Sequence, residues 1–229
     1  MIKQGTLYLA GGGNQQDSYV LDRDFVAHLP EPTLLYIPLA KMERNTYAGA
    51  YNWLRSVMEP LGIDSIDMLS TPESLCSAKL EHYGGVYLGG GNTFHLLSLC
   101  KRSGFDRALK DYLHHGGVVY GGSAGGIVLG KDILTCAHLD TNDEQITEFA
   151  GFDLLSGHGV WCHYIPEDIP RIEHYVQSKN IPVIALSEKS GLRIDNAVCV
   201  VGTEGVEVFY PGVQRPQRKT VLPGETFTF

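Results

Sequence analysis

Val118-Val119-Tyr120-Gly121-Gly122-Ser123-Ala124-Gly125-Gly126-Ile127-Val128-Leu129 reads as an apolar strand, a G-x-S-x-G turn and the apolar start of a helix. A serine on so sharp a strand-to-helix turn takes a strained backbone. The positions two before and two after it must then be small, here Gly121 and Gly125. The strain lifts the hydroxyl clear of the sheet. The backbone N–H of Ala124 faces whatever Ser123 attacks, and the helix N-terminus adds partial positive charge at the same point. A plain glycine turn or a phosphate cradle can carry the same letters, but the flanking strand and helix favour a nucleophile elbow.

Upstream, Gly84-Gly85-Val86-Tyr87-Leu88-Gly89-Gly90-Gly91-Asn92-Thr93-Phe94-His95-Leu96-Leu97 repeats the order of strand, glycine loop and helix. Consecutive glycines at a strand's carboxyl end let the backbone approach a ligand, and N–H groups near Gly90 and Gly91 become candidates for an oxyanion hole with Ala124. Asn92 or Thr93 caps the helix, and both are candidate substrate-binding residues. The nucleotide alternative lacks the lysine of G-x-x-x-x-G-K-[ST] and does not complete G-x-G-x-x-G. A third loop, Gly11-Gly12-Gly13-Asn14, fails the same tests and is assigned to the rim of the cleft.

Short apolar runs alternating with helical patterns predict an α/β fold with a mostly parallel sheet and helices on both faces. The expected strands are Thr6 to Ala10, Thr33 to Pro38, Ser65 to Leu69, Gly85 to Leu88, Val118 to Gly121, Val160 to His163, Pro182 to Ser187, Ala197 to Gly202 and Val206 to Tyr210. Helices are expected at Tyr47 to Met58, with Ala50, Trp53, Leu54, Val57 and Met58 on one apolar face, and at Thr93 to Cys100 and Phe105 to His115. After about Ile194 the runs predict a C-terminal β-meander. The 229 residues, 43% hydrophobic, suit one domain spanning 1–229.

A serine nucleophile needs an imidazole to take its proton and a carboxylate to orient that imidazole. His163 ends an expected strand at the edge where open α/β sheets bind ligands, whereas His158 precedes that strand at the opposite edge. His163 is therefore the preferred base. Glu188 follows another strand's carboxyl end and is the candidate acid, with Asp143 in a polar segment as the alternative.

The formal charge of -8 is scattered and no basic stripe is present, so nucleic acid is not an expected partner. The opening Met1-Ile2-Lys3-Gln4-Gly5 lacks a secretory pattern, and no apolar run approaches the roughly 18 residues of a membrane span, so a cytoplasmic protein without membrane attachment is expected. The five cysteines lack pairing or zinc spacing and read as reduced core thiols. No metal site and no cofactor is expected.

Gly89-Gly90-Gly91-Asn92-Thr93, Gly122-Ser123-Ala124-Gly125, Gly151-Phe152-Asp153-Leu154-Leu155, His163-Tyr164 and Leu186-Ser187-Glu188 together resemble the serine peptidases of family S51, which contains peptidase E and cyanophycinase. The resemblance spans nearly the whole chain. It implies a fold like class I glutamine amidotransferases (flavodoxin-like), Ser123 as nucleophile and His163 as base. Glu188 looks like the cyanophycinase acid, while Asp143 falls where peptidase E carries an aspartate. The implied substrates are short peptides, including those with N-terminal aspartate, or a β-aspartyl linkage. Arg171 is the candidate for an aspartate-binding arginine, although its segment looks shorter than the corresponding peptidase E loop. An α/β-hydrolase esterase and a non-catalytic ligand-binding relative are the rival classes. A small peptide is the expected partner of a monomer or homodimer.

Overall fold

A computed structural model describes residues 5–43 and 46–229. Met1 to Gln4, read above for a secretory pattern, lie outside the described residues. Five strands run parallel: β1 (Thr6–Ala10), β2 (Thr33–Ile37), β3 (Ser65–Met68), β4 (Gly85–Leu88) and β5 (Val118–Gly122). Their spatial order is β3-β2-β4-β5-β1. After the elbow come β6 (Gly159–Trp161), β7 (Val183–Ala185), β8 (Ser190–Ile194), β9 (Val198–Gly202), β10 (Val206–Tyr210), β11 (Gln217–Val221) and β12 (Thr226–Phe227). Strands β8, β9 and β12 extend the main sheet antiparallel beyond β1, making eight strands, while β6, β7, β10 and β11 form a second sheet.

The expected C-terminal strands are thus present but divided between two sheets. Gly205 lies between β9 and β10, and the chain changes sheet there. A local reading of turns cannot show that change, because strand partners are chosen by non-local pairing.

Side-chain alternation in the parallel strands fixes two apolar layers. Leu35, Val86 and Val119 face one way, packed with Phe94, Leu97, Leu109 and Ile127 of helices α3 (Thr93–Ser103), α4 (Phe105–His114) and α5 (Ala124–Ile127). Tyr8, Tyr120, Tyr87 and Tyr36 are in register across β1, β5, β4 and β2 and face the other way. That tyrosine row packs with Leu21 and Phe25 of α1 (Gln15–Ala27) and with Ala50, Leu54, Val57 and Met58 of α2 (Tyr47–Met58). Helix α6 (Ile169–Lys179) covers Trp161, Val183 and Phe209 of the second sheet.

Two readings of burial are corrected. Trp53 is 39% exposed, because it falls at the margin of the stripe made by Ala50, Leu54, Val57 and Met58. Among the cysteines, all free, Cys100, Cys136 and Cys162 are buried, but Cys76 is exposed and Cys199 only partly covered. Among the described residues no helix is long and apolar enough to cross a membrane.

Asp22 is buried in α1 at 1% exposure, where it accepts hydrogen bonds from Ser18 Oγ at 2.7 Å and Tyr120 OH at 2.7 Å. Burial raises its carboxyl from 3.8 to about 6, against the lowering effect of those two hydrogen bonds. The folded state therefore binds this proton more tightly than the unfolded state, and stability falls as pH rises from about 4 through about 6. The contribution is about 3 kcal/mol. In urea unfolding, Asp22→Asn is expected to gain on the wild type between pH 4 and pH 7; a constant difference across that range contradicts this account.

Candidate active site

The elbow serine follows β5 with φ 51° and ψ -115°, a left-handed region that a side-chain-bearing residue adopts only when its surroundings hold it there. Ser123 N–H donates to Ala10 O at 3.1 Å, while its carbonyl accepts from Gly126 N at 2.8 Å and Ile127 N at 2.9 Å. The turn is thus fixed to β1 on one side and to α5 on the other. A Cβ at Gly125 would stand 2.2 Å from Leu88 O, which explains the small residue required there.

Ser123 Oγ lies 2.9 Å from His163 Nε2, and His163 Nδ1 lies 2.9 Å from Glu188 Oε1. His163 follows β6, and Glu188 lies in the turn between β7 and β8. Like the serine, His163 has a positive φ, 54°. Its N–H donates to Gly11 O at 2.9 Å. The ring lies against Gly12, whose φ is +119° and whose hypothetical Cβ would come within 2.2 Å of His163 Cε1. The Gly11-Gly12-Gly13 loop, assigned from sequence to the rim, thus forms the bed of the imidazole. The signal was legible in the glycines; their partner was not.

The remaining candidates separate. Gly90 lines the cleft, and a Cβ there would sit 3.3 Å from Ser123 Cβ. Gly91 (φ +150°) packs on Ala40, where a Cβ would meet Ala40 O at 2.3 Å. Ala124 is the first residue of α5. Asn92 and Thr93 are not among the lining residues. Asn92 caps α3 through His95 N at 2.9 Å and donates from Nδ2 to Thr141 O at 2.8 Å, and Thr93 N donates to Asp140 Oδ2 at 2.8 Å. Both residues therefore hold Asp140 and Thr141 to the helix start. Asp143 is exposed and accepts from Thr141 Oγ1 at 2.9 Å. Among the described residues, the carboxylate hydrogen-bonded to His163 belongs to Glu188.

Arg171 is not in this cleft. It pairs with Asp168 at 3.0 Å and lines a separate depression with His138, Trp161 and His174. The cause is local: Asp168 and Pro170 open α6, so Arg171 falls in the first turn, beside the carboxylate three residues back. The other histidine, His158, is buried with Nδ1 2.9 Å from Leu155 O, and burial lowers its pKa. The Gly151-Phe152-Asp153 segment is structural, with Phe152 N donating to Val128 O at 2.7 Å and Asp153 pairing with Lys131 at 2.7 Å.

Ser123 and His163 open onto a cleft of about 530 Å³. Sequence reasoning did not foresee several of its walls: Ser18 from α1, Lys41, Trp53 from α2, and the rings of Tyr36, Tyr87 and Tyr120.

The model of peptidase family S51 matches residues 7–201, a span that includes β1, the elbow, His163 and Glu188. The chain belongs to peptidase family S51. This S51 chain is 28% identical over 183 residues to a peptidase E of Streptomyces coelicolor, covering 75% of this chain and 71% of that one. A Shigella flexneri peptidase E is 31% identical over 122 residues, 53% of this chain and 50% of the relative. The crystal structure of a peptidase from an acI-B1 actinobacterium superposes with a TM-score of 0.72 at 19% identity, covering 100% of this chain and 98% of that one. That last likeness is one of fold. The family match makes this S51 member a peptidase by descent, and its mixed α/β architecture with a mostly parallel central sheet is the fold of its structural neighbours.

Proposed function

We propose that the chain is a serine-type peptidase acting on short peptides through an acyl-enzyme. The observation that carries this reading is the hydrogen-bonded series Glu188, His163, Ser123, with both links at 2.9 Å and its hydroxyl end in the cleft. Ser123 Oγ attacks the peptide carbonyl carbon while His163 Nε2 takes its proton. Backbone N–H groups at Gly90, Gly91 and Ala124 hold the oxyanion, with the start of α5 adding positive potential. The imidazolium returns the proton to the leaving amine, the C–N bond breaks, and water activated by the same imidazole releases the acyl group. Glu188 keeps the imidazole in the tautomer that leaves Nε2 free to accept.

An esterase of the α/β-hydrolase class places its acid before its histidine, and Glu188 follows His163. For an N-terminal aspartate or a β-aspartyl linkage, the substrate carboxylate requires a cation. With Arg171 held at Asp168, the lysine available in the cleft is Lys41.

Hydrolysis of a short-peptide panel tests the reading together with its acid. Glu188→Gln is expected to lower kcat/KM about tenfold to a hundredfold, a modest loss for an orienting acid because Glu188 is 53% exposed and water can partly replace it. Asp143→Asn is expected to stay within about twofold of the wild type. The opposite order, or no hydrolysis of any peptide, contradicts the proposal.

A further inference from the structure

Sheet order puts the two flanks of the scissile bond on different sides of Ser123. His163 is held over the end of β1 by Gly11 and Gly12, whereas β4 and β2 lie on the far side of β5. Under the mechanism above, the imidazole gives its proton to the leaving amine. The leaving group therefore lies toward β1, and the side chain of the residue under attack lies toward β4 and β2.

That side of the cleft is aromatic. Tyr120, Tyr87 and Tyr36 are in register on adjacent strands, with ring centroids 4.4 Å apart and stacked for the first pair, 5.7 Å apart and edge-to-face for the second. Only 2% of Tyr36 and 5% of Tyr87 is open to water, so this floor is nearly dry. Trp53 lines the same cleft and is the side chain of α2 that its apolar stripe leaves uncovered. The tyrosine faces are taken up by core packing, so a flat apolar side chain entering here would cover the indole and meet the hydroxyl ends of Tyr36 and Tyr87, which lie beside Gly89 and Gly122.

Charge opposes an acidic side chain at this floor. The Asp22 carboxylate stands behind Tyr120 and already accepts the Tyr120 and Ser18 hydroxyls. A substrate carboxylate would lose its water beside another acid, and the cation it could meet on this side is Lys41, four residues beyond the end of β2. Lys41 is the one lysine or arginine that lines the cleft among the described residues, and it defines the competing outcome.

We infer that the residue whose carbonyl Ser123 attacks is aromatic, of the phenylalanine class, and not aspartate; this rests on the serine-peptidase reading above. The test treats the full chain with diphenyl phosphonate analogues of phenylalanine and of aspartate, alongside a small fluorophosphonate that needs only an active serine. The phenylalanine analogue is expected to inactivate at least about tenfold faster than the aspartate analogue. Trp53→Ala is expected to narrow the ratio of the two rates about tenfold, through loss of aromatic contact. Faster reaction with the aspartate analogue, abolished by Lys41→Met, overturns the inference and leaves the serine mechanism standing. No adduct with any of the three probes on folded protein removes both.

Discussion

Ser123→Ala is expected to lower kcat/KM for peptide hydrolysis about ten-thousandfold or more, and His163→Gln by a similar factor. The Ser123→Ala, His163→Gln double variant should lose no more than the worse single variant. A nucleophile and its base act as one unit, so removing either one disables the attack that both perform. Ser123 contacts His163 through Oγ at 2.9 Å, and the turn that carries it is held by backbone hydrogen bonds, so alanine can occupy the same turn. Unchanged thermal unfolding beside lost turnover would separate chemistry from folding. Losses that multiply in the double variant would mean that the two side chains act independently, against the geometry.

Gly12→Ala should cost at least about a hundredfold in kcat, approaching the loss of His163 itself. The new methyl carbon would lie 2.2 Å from His163 Cε1 and 2.7 Å from Nδ1, and the backbone there has φ +119°, which alanine rarely adopts. The imidazole must move, and both its hydrogen bonds, to Ser123 and to Glu188, are then lost or stretched. The ring sits at the edge of the sheet with His163 one-third exposed, so it can swing outward without disrupting the core. The check is steady-state kinetics beside circular dichroism. A variant with normal kcat would show that the loop does not position the base.

The parallel half of the fold was legible because buried parallel strands are nearly continuous apolar runs, and TLLYI or GVYL can scarcely be read otherwise. Helix α1 was not, since QQDSYVLDRDFVA is largely polar and buries an aspartate, Asp22, inside its apolar stripe. Helix α6 was hidden by Pro166 and Pro170, which read as breaks yet occupy the openings of a short 3-10 turn and of the helix itself, where proline is tolerated. Strand β11, QRKTV, has four exposed residues at the edge of the second sheet and carries no apolar alternation.

The site divided in the same way. Ser123 was marked by its glycines, and His163 and Glu188 by their positions after apolar runs, features local to the chain. What the sequence does not carry is which glycine loop lies under which ring: Gly12 and His163 are far apart in sequence and meet where the segment after β6, in the second sheet, is hydrogen-bonded to the loop after β1 through His163 N–H and Gly11 O. Arg171 and Trp53 were misassigned for related reasons. The first has a carboxylate partner within its own helical turn, and the second sits at the margin of a stripe that borders a cleft rather than the core.

The most direct test of the account is peptide mapping by mass spectrometry after reaction of the folded protein with a fluorophosphonate. A single adduct on Ser123, formed at a rate that falls sharply in His163→Gln, is the predicted result. An adduct on another residue, or none on protein shown to be folded, would contradict it.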